Sequence, residues 1–171
     1  MRHESARIPS ALEMRTIRFE EVGATLDLIR RAVERGCRQY YDSAQRAGVF
    51  AVYAQSLFVE WLGPFDSVAA VSGDRLVGFA QLDPASARLR ALFVDADLQQ
   101  RGVGRALLAE IERRALGRGL QRLHGAMSLN AVAFYSRAGF RPYPAPERLI
   151  AAGVTVPVVR MEKTLRTLTP A

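Results

Sequence analysis

The sequence has few of the side chains that build disulfide bonds or metal sites. Its 171 residues include one cysteine, Cys37, and two histidines, His3 and His124. One cysteine cannot form a disulfide or a cysteine metal cluster within a single chain, and no His, Cys or Asp residues stand at metal-ligand spacing. No histidine is close to Cys37 in sequence, which favours a packed residue over a catalytic thiol. The sequence therefore predicts a protein without a metal cofactor.

Long apolar runs and targeting signals are also missing. No apolar stretch approaches the roughly 20 residues that a membrane-spanning helix needs, and residues 1–13 contain no secretory apolar core. These absences predict a cytoplasmic protein with no membrane partner. Residues 1–13 are expected to form a flexible leader before a single domain over residues 14–165, and whether Met1 is the true start stays open.

The charge is strongly basic, with 24 Lys and Arg against 17 Asp and Glu and a net charge of +7. A basic surface can attract nucleic acid. The arginines are scattered along the chain instead of forming one run or tail, which makes nucleic acid an unlikely partner. A basic cleft suits a polyanionic cofactor at least as well.

Hydrophobic periodicity and turn signals outline an alternation of strands and helices. Asp42 is predicted to cap the second helix together with Gln45 at its third position. The predicted strands are 16–22, 67–72, 75–82, 88–94, 120–127 and 154–163, and the predicted helices are 25–35, 43–55, 103–117 and 131–138. Strands on both sides of crossing helices predict a mixed α/β sheet in one domain.

A glycine-containing loop between a strand and a helix is the first motif that indicates chemistry. In Gln99–Ala106, Gly102 and Gly104 let the backbone turn tightly and approach a ligand without Cβ interference. The following helix presents unpaired N–H groups and the positive end of its dipole, which together bind phosphate groups. Residue 107 is Leu and no Gly-Lys-Ser/Thr occurs, so the dinucleotide and P-loop fingerprints both fail.

A second motif follows about 30 residues later, in Asn130–Phe140. Asn130 is placed to cap a helix that carries Tyr135 and ends at Gly139-Phe140. Together the two motifs resemble the acyl-CoA signature Q/R-x-x-G-x-G/A and the Asn/Tyr helix of the GCN5-related N-acetyltransferase (GNAT) superfamily. The resemblance covers about residues 67–163 and implies a single-domain, mostly antiparallel sheet of six or seven strands. Its two central parallel strands would splay apart, and helices would flank the sheet.

The resemblance also implies acetyl-CoA as cosubstrate and a set of site residues. Backbone groups of Leu92, Phe93 and Val94 would edge the slot between the splayed strands and pair with the pantetheine arm. Asn130 would hydrogen-bond the cofactor arm, and Tyr135 would protonate the departing thiolate as general acid. The residues that would enclose the pyrophosphate are Gln99, Gln100, Arg101, Gly102, Val103, Gly104 and Arg105.

The general base and the acceptor stay open. Family members that act on histone-like lysines often carry a Glu four residues before the slot-edging triplet, and this position is Arg88. Glu60, Asp83, Tyr40 or water alone are the alternatives for the base. The acceptor would be a small-molecule or peptide amine, and acyl groups longer than acetyl are not distinguished. The oligomeric state is also open, with a homodimer as one option.

Two other classes of function are compatible with the same residues. One is a catalytically silent module that binds acyl-CoA, which would have no turnover to lose on substitution of Tyr135. The other is a basic protein that interacts with nucleic acid, which would show salt-dependent retention on DNA that CoA does not change.

Overall fold

The strands assemble one mixed sheet in the computed structural model, which describes residues 12–53 and 55–165. The strands are β1 (Leu12–Thr16), β2 (Asp66–Ser72), β3 (Arg75–Asp83), β4 (Arg88–Val94), β5 (Arg122–Ser128), β6 (Arg141–Pro142), β7 (Arg148–Ala151) and β8 (Val154–Thr164). The helices are α1 (Val22–Gly36), α2 (Ser43–Ala51), α3 (Gln55–Leu62), α4 (Val103–Gly117) and α5 (Val132–Arg137). The predicted α/β class is confirmed.

The sheet has the order β1-β2-β3-β4-β5-β8-β6, and β7 pairs with β8 in addition. Among the described strands, β4 and β5 form the one parallel pair, and every other pair is antiparallel. The predicted strands 67–72 and 75–82 are confirmed as β2 and β3, which form an antiparallel hairpin with Gly73 in the turn at a φ of 61°. A mostly antiparallel sheet with a central parallel pair is therefore the observed architecture.

Two apolar cores lie on opposite faces of this sheet. Alternate residues of a strand point to opposite faces, and Val68 of β2 joins the core of α4 whereas its neighbour Ala69 joins the core of α1. The first core is filled by fully buried Leu107 and Ile111 of α4. The second is filled by fully buried Ile29 of α1. The sheet is thus covered on both sides and holds its strands in fixed positions.

The predicted strand pattern was wrong in two places. The first strand is Leu12–Thr16 and not 16–22, because its residues pair with β2, and a 3-10 turn at Phe19–Glu21 follows. β1 therefore includes two residues of the expected leader, whose residues 1–11 lie outside the described part of the chain. β6 and β7 lie between the predicted strands 120–127 and 154–163, where no strand was predicted. In contrast, the Asp42–Gln45 capping box is confirmed.

Candidate active site

The two parallel strands separate almost as soon as they meet. Their register contains a single pair, Arg88 with His124, where the His124 N–H donates to Ala87 O at 3.1 Å. His124 Nε2 also lies 2.8 Å from Ser86 O, so this side chain fixes the junction. Beyond it the edge of β4 that faces β5 has no ladder partner in the described residues. The result is a V-shaped slot whose open end lies at the carboxyl ends of β4 and β5.

A β-bulge shapes the wall of the slot. Gln81 of β3 pairs with Ala91, but the next residue, Leu82, pairs with Leu89, so Arg90 is an extra residue in β4. A bulge bends its strand and re-aims the neighbouring groups. The hydroxyl of Tyr53 donates to Arg90 O at 3.2 Å and so anchors the bulge to the chain between α2 and α3.

The loop from β4 to α4 has the backbone expected of an anion site, which we call the amide cradle (residues 99–105). Gln100 and Gly102 have φ values of 64° and 89°, in the left-handed region, and Gly102 is the N-cap of α4. Because Ala106 N–H is the donor to Gly102 O, the amides of residues 103–105 precede the first α-helical hydrogen bond. Arg105 is exposed beside them and Arg101 is half-buried.

Asp95, a residue that the sequence reasoning missed, holds this loop in place. Its buried carboxylate accepts from the Asp97 N–H at 3.0 Å and from Arg75 Nη2 at 2.8 Å, and Arg31 lies 3.5 Å away. Burial alone would raise the pKa of Asp95, but the Asp97 amide and the Arg75 guanidinium hold this pKa below its ordinary value. An Asp directly after a strand and before a glycine loop was the available signal.

The amide cradle packs directly against the helix that carries Tyr135. A Cβ added at Gly104 would lie 3.5 Å from the Phe134 ring and 3.5 Å from Val94 Cγ2, so these groups already border this glycine. The Phe134 and Tyr135 ring centroids are 5.0 Å apart. The cradle and the phenol are therefore on the same side of the molecule, joined through one aromatic side chain.

Tyr135 itself is buried in an aromatic setting. Its ring packs edge-on against Phe140 with centroids 5.3 Å apart, and it lines a cavity of about 340 Å³ between β4 and β5. Burial raises the pKa of Tyr135 above its ordinary value, and Tyr53 adds to this effect. The raised pKa keeps the phenol protonated at neutral pH, as an ordinary phenol also is.

Asn130 does not cap α5, so this prediction was wrong. It lies in the 3-10 turn Leu129–Ala131, and Ala131 is the N-cap of α5. Asn130 Oδ1 instead accepts from Cys37 Sγ at 3.4 Å. Burial raises the pKa of Cys37 to about 11, so this residue is a protonated thiol at neutral pH.

Gln99 and Asn130 approach each other around the end of α1. A Cβ built on Gly36 would lie 3.4 Å from Gln99 Nε2 and 3.5 Å from Asn130 Nδ2. One of these side chains follows β4 and the other follows β5, so they stand at the carboxyl ends of the two splayed strands. The predicted site residues of the two motifs thus meet in space although they are far apart in sequence.

The cavity continues from the slot towards α2 and β8. Leu92 and Phe93 line it, whereas Val94 borders Gly104. Of the candidates for a base, Glu60 and Tyr40 are exposed, and Asp83 accepts hydrogen bonds from Ala85 and Ser86 in a turn. None of these three lines the cavity. Among the described residues, the polar side chains that line the cavity include Tyr41, Tyr53, Arg88, Arg90, Ser128 and Tyr135.

Metal-binding and membrane-spanning features were also sought in the described residues. Residues 12–53 and 55–165 contain no group of three or more His, Cys, Asp or Glu side chains that could hold a metal ion. The helices in this part of the chain are all too short or too polar to cross a membrane.

Comparisons with known structures place the fold. A GCN5-related N-acetyltransferase from Rhodopseudomonas palustris superposes with a TM-score of 0.85 at 23% identity, covering 94% of this chain and all of that one. An N-acetyltransferase from Thermoplasma acidophilum in complex with coenzyme A has a TM-score of 0.78 at 17% identity, with coverages of 91% and 99%. The ribosomal-protein-S18-alanine N-acetyltransferase from Escherichia coli has a TM-score of 0.68 at 16% identity, with coverages of 93% and 97%. These likenesses establish the fold.

Comparisons of the sequence identify the family. No curated protein matches the chain. The family model of the acetyltransferase (GNAT) domain, however, matches residues 42–165, which is well over half of the sequence. This range includes the slot, the amide cradle and Tyr135, and the family uses acetyl-CoA as its acyl donor. The chain therefore belongs to the GNAT acetyltransferase family.

Proposed function

We propose that the protein transfers an acetyl group from acetyl-CoA to a primary amine of a small molecule or peptide, which attacks the thioester carbonyl directly. The observation that carries this proposal is that Gly104 of the amide cradle borders Phe134, whose ring packs against the Tyr135 ring, because it brings the cradle and the phenol close together. Direct attack needs no enzyme nucleophile. Cys37, the one thiol in the sequence, has a pKa raised to about 11 and donates to Asn130.

Binding of the donor follows from the backbone geometry. The free amides at the start of α4, with Arg101 and Arg105, would hold the diphosphate. The open edge of β4 at residues 92–94 would hydrogen-bond the pantetheine amides as an added strand. Gln99 and Asn130 flank the mouth of the slot, where they would contact the pantetheine arm. The absence of a Cβ at Gly104 would let a phosphate oxygen approach the helix end closely.

The proposed acetyl transfer needs few groups from the protein. The acceptor nitrogen forms a bond to the acetyl carbon, the bond from this carbon to sulfur breaks, and Tyr135 donates its proton to the departing thiolate. A backbone N–H at Phe93 or Val94 would stabilise the negative charge on the carbonyl oxygen. The phenol regains its proton from solvent, so the enzyme is unchanged at the end of the cycle.

Removal of the proton from the amine is assigned to water. An alkylamine with a pKa near 10.4 is mostly protonated at pH 7, so a proton must leave before or during attack. Within the described residues the cavity wall contains no carboxylate. We therefore propose that the amine reaches the slot after losing its proton to water, and that kcat/KM rises with pH towards the pKa of the amine.

A thiol-release assay with acetyl-CoA and a panel of primary amines tests the proposal. Tyr135→Phe should lower kcat by about 100-fold or more, the usual contribution of a positioned acid, while CoA still stabilises the fold. Tyr143→Phe is the matched control, because Tyr143 does not line the cavity. Turnover that survives in Tyr135→Phe would remove the general-acid role.

The same assay separates the other classes of function. CoA binding without turnover of any amine would identify an acyl-CoA-binding module and overturn the transferase proposal. Retention on DNA that falls with salt, with no response to CoA, would instead favour a nucleic-acid partner. Longer acyl-CoA donors in the same assay define the acyl-chain range.

A further inference from the structure

Two arginines of β4 line the cavity between β4 and β5. Arg88 lies at the junction of β4 with β5, and Arg90 is the bulged residue. Both line the same cavity as Tyr135 and Leu92. Burial, and then repulsion from Arg88, lower the pKa of Arg90.

The Arg88 guanidinium has one donor that the described part of the protein does not satisfy. Arg88 Nε is buried and has no hydrogen-bond partner within residues 12–53 and 55–165. Asp83, which is paired with Arg88 in the β3–β4 register, receives hydrogen bonds from Ser86 Oγ at 2.6 Å and Ala85 N at 3.0 Å instead. A buried N–H donor without an acceptor is costly, and a carboxylate is the group that a planar guanidinium binds best.

Arg90 has a different environment from Arg88. Its guanidinium carbon lies 4.4 Å from the centroid of the Phe65 ring, a cation–π distance. Its backbone carbonyl accepts from Tyr53. Arg90 therefore adds positive charge to the cavity from a stacked position, and Arg88 is the side chain with an open donor.

The rest of the wall is apolar and suits the body of a small ligand. Tyr53 packs edge-on against Phe93, with ring centroids 5.4 Å apart. The cavity, about 340 Å³, is comparable to the smaller pockets that bind small molecules. Its apolar lining on the side away from α4 comprises Val49, Val52, Leu149, Ala151, Val156 and Val158. A ligand that fits would combine an apolar body with one negative group.

We propose that the acceptor is an amino-acid-like molecule, a primary amine that also carries a carboxylate, and that Arg88 binds this carboxylate. The inference rests on the proposed acetyl transfer, because it identifies the substrate class of the same cavity. It also predicts poor acetylation of polycationic amines, since both arginines would repel them.

Matched amine pairs that differ in one carboxylate test this assignment. The pairs are L-phenylalanine with 2-phenylethylamine, L-leucine with 3-methylbutylamine, and 6-aminohexanoate with hexylamine, and tobramycin serves as the polycation. For at least one pair, kcat/KM should favour the carboxylate by about 10- to 100-fold, the range of a charge-assisted hydrogen bond. Equal rates within every pair, or preferred use of tobramycin, would overturn the inference and leave acetyl transfer in place.

Variants locate the preference at Arg88. Arg88→Gln should lower kcat/KM for the carboxylate to that of its neutral partner and leave the neutral partner within about twofold, whereas Arg88→Lys should keep part of the preference. Arg122→Gln, an exposed arginine at the start of β5, is the matched control. An equal loss for both members of a pair would mean that Arg88 supports the fold and does not recognise a carboxylate.

A binding measurement keeps the two proposals separate. Each member of the pairs is titrated by calorimetry into the protein saturated with CoA, which needs no turnover. Tighter binding of the carboxylate that disappears in Arg88→Gln supports the inference even if no amine is acetylated, an outcome that would overturn only the proposed function. Equal affinities for the two members of every pair would overturn the inference and leave the proposed function in place.

Discussion

Replacing Gly104 by Ala should raise stability and weaken CoA binding at the same time. A Cβ at this position would lie 3.5 Å from both Phe134 and Val94, an ordinary contact, so the fold accepts the methyl group without strain. Gly104 lies inside α4 and its φ is not positive. Ala in a helix is favoured over Gly by up to about 1 kcal/mol, and the free energy of unfolding should increase by up to this amount.

The effect on the ligand has the opposite sign. In the proposed binding mode, the methyl group would take up space beside the amides of residues 103–105, which a phosphate oxygen has to approach. Loss of one hydrogen bond to a charged group costs about 1.5–3 kcal/mol, or about 10- to 150-fold in Kd. CoA at 100 times the wild-type Kd stabilises the protein by about 2.7 kcal/mol, and a 30-fold weaker Kd would reduce this to about 0.9 kcal/mol.

Urea denaturation with and without CoA measures both effects in one experiment. Gly117→Ala is the matched control in the same helix, where an added Cβ meets nothing within 4 Å. The control should leave the CoA-dependent stabilisation unchanged. If Gly104→Ala bound CoA as tightly as the wild type, the start of α4 would not be the diphosphate site.

Two further predictions concern the loop and the acid stability. Asp95→Asn should lower the free energy of unfolding by about 1–3 kcal/mol and raise the Kd for CoA, because it weakens the contacts that hold the amide cradle in place. The control is Asp97→Asn at an exposed position, which should lower the free energy of unfolding by less than about 1 kcal/mol. If the Kd for CoA were unchanged in Asp95→Asn, the contacts of Asp95 would stabilise the loop without contributing to CoA binding. Hydrogen bonds from arginines lower the pKa of Glu21 and Glu110 from 4.5 to about 2. Since the folded pKa is depressed, the stabilisation by these two carboxylates is present above pH 4.5 and is lost as the pH falls towards 2. In urea denaturation at a series of pH values over this range, the free energy of unfolding of Glu21→Gln should therefore depend less on pH than that of the wild type.

The strands around the two motifs could be predicted because their patterns are local. The bounds of β4 match the prediction residue for residue, and α4 ends at Gly117 as expected. Both elements carry an uninterrupted apolar pattern and end at glycine or Asp. The capping box of Asp42 with Gln45 is a local signal of the same kind.

The first strand and the cap at Asn130 could not be predicted because distant residues decide them. The alternation of Ile17 and Phe19 suggested a strand, but Phe19 is 70% exposed, and Leu12 and Met14 pair with β2 instead. The side chain of Asn130 is engaged by Cys37, which lies 93 positions earlier in the sequence. Neither partner can be read from a local pattern.

The acceptor side of the site was the least predictable part. Arg88 was noted as a departure from a family pattern, but its lack of a hydrogen-bond partner is visible only in three dimensions. Tyr53 reaches the β4 bulge from the chain after α2, and the bulge itself depends on the register of two strands. Such through-space contacts leave no periodic trace in the sequence.

A crystal structure of the protein with CoA bound is the most direct test of the claim that the cradle and the phenol serve one ligand. The account predicts diphosphate oxygens within hydrogen-bonding distance of the amides of residues 103–105 and the sulfur within about 4 Å of the Tyr135 hydroxyl. A CoA molecule whose diphosphate lies away from the start of α4, or whose sulfur lies outside the slot between β4 and β5, would contradict it.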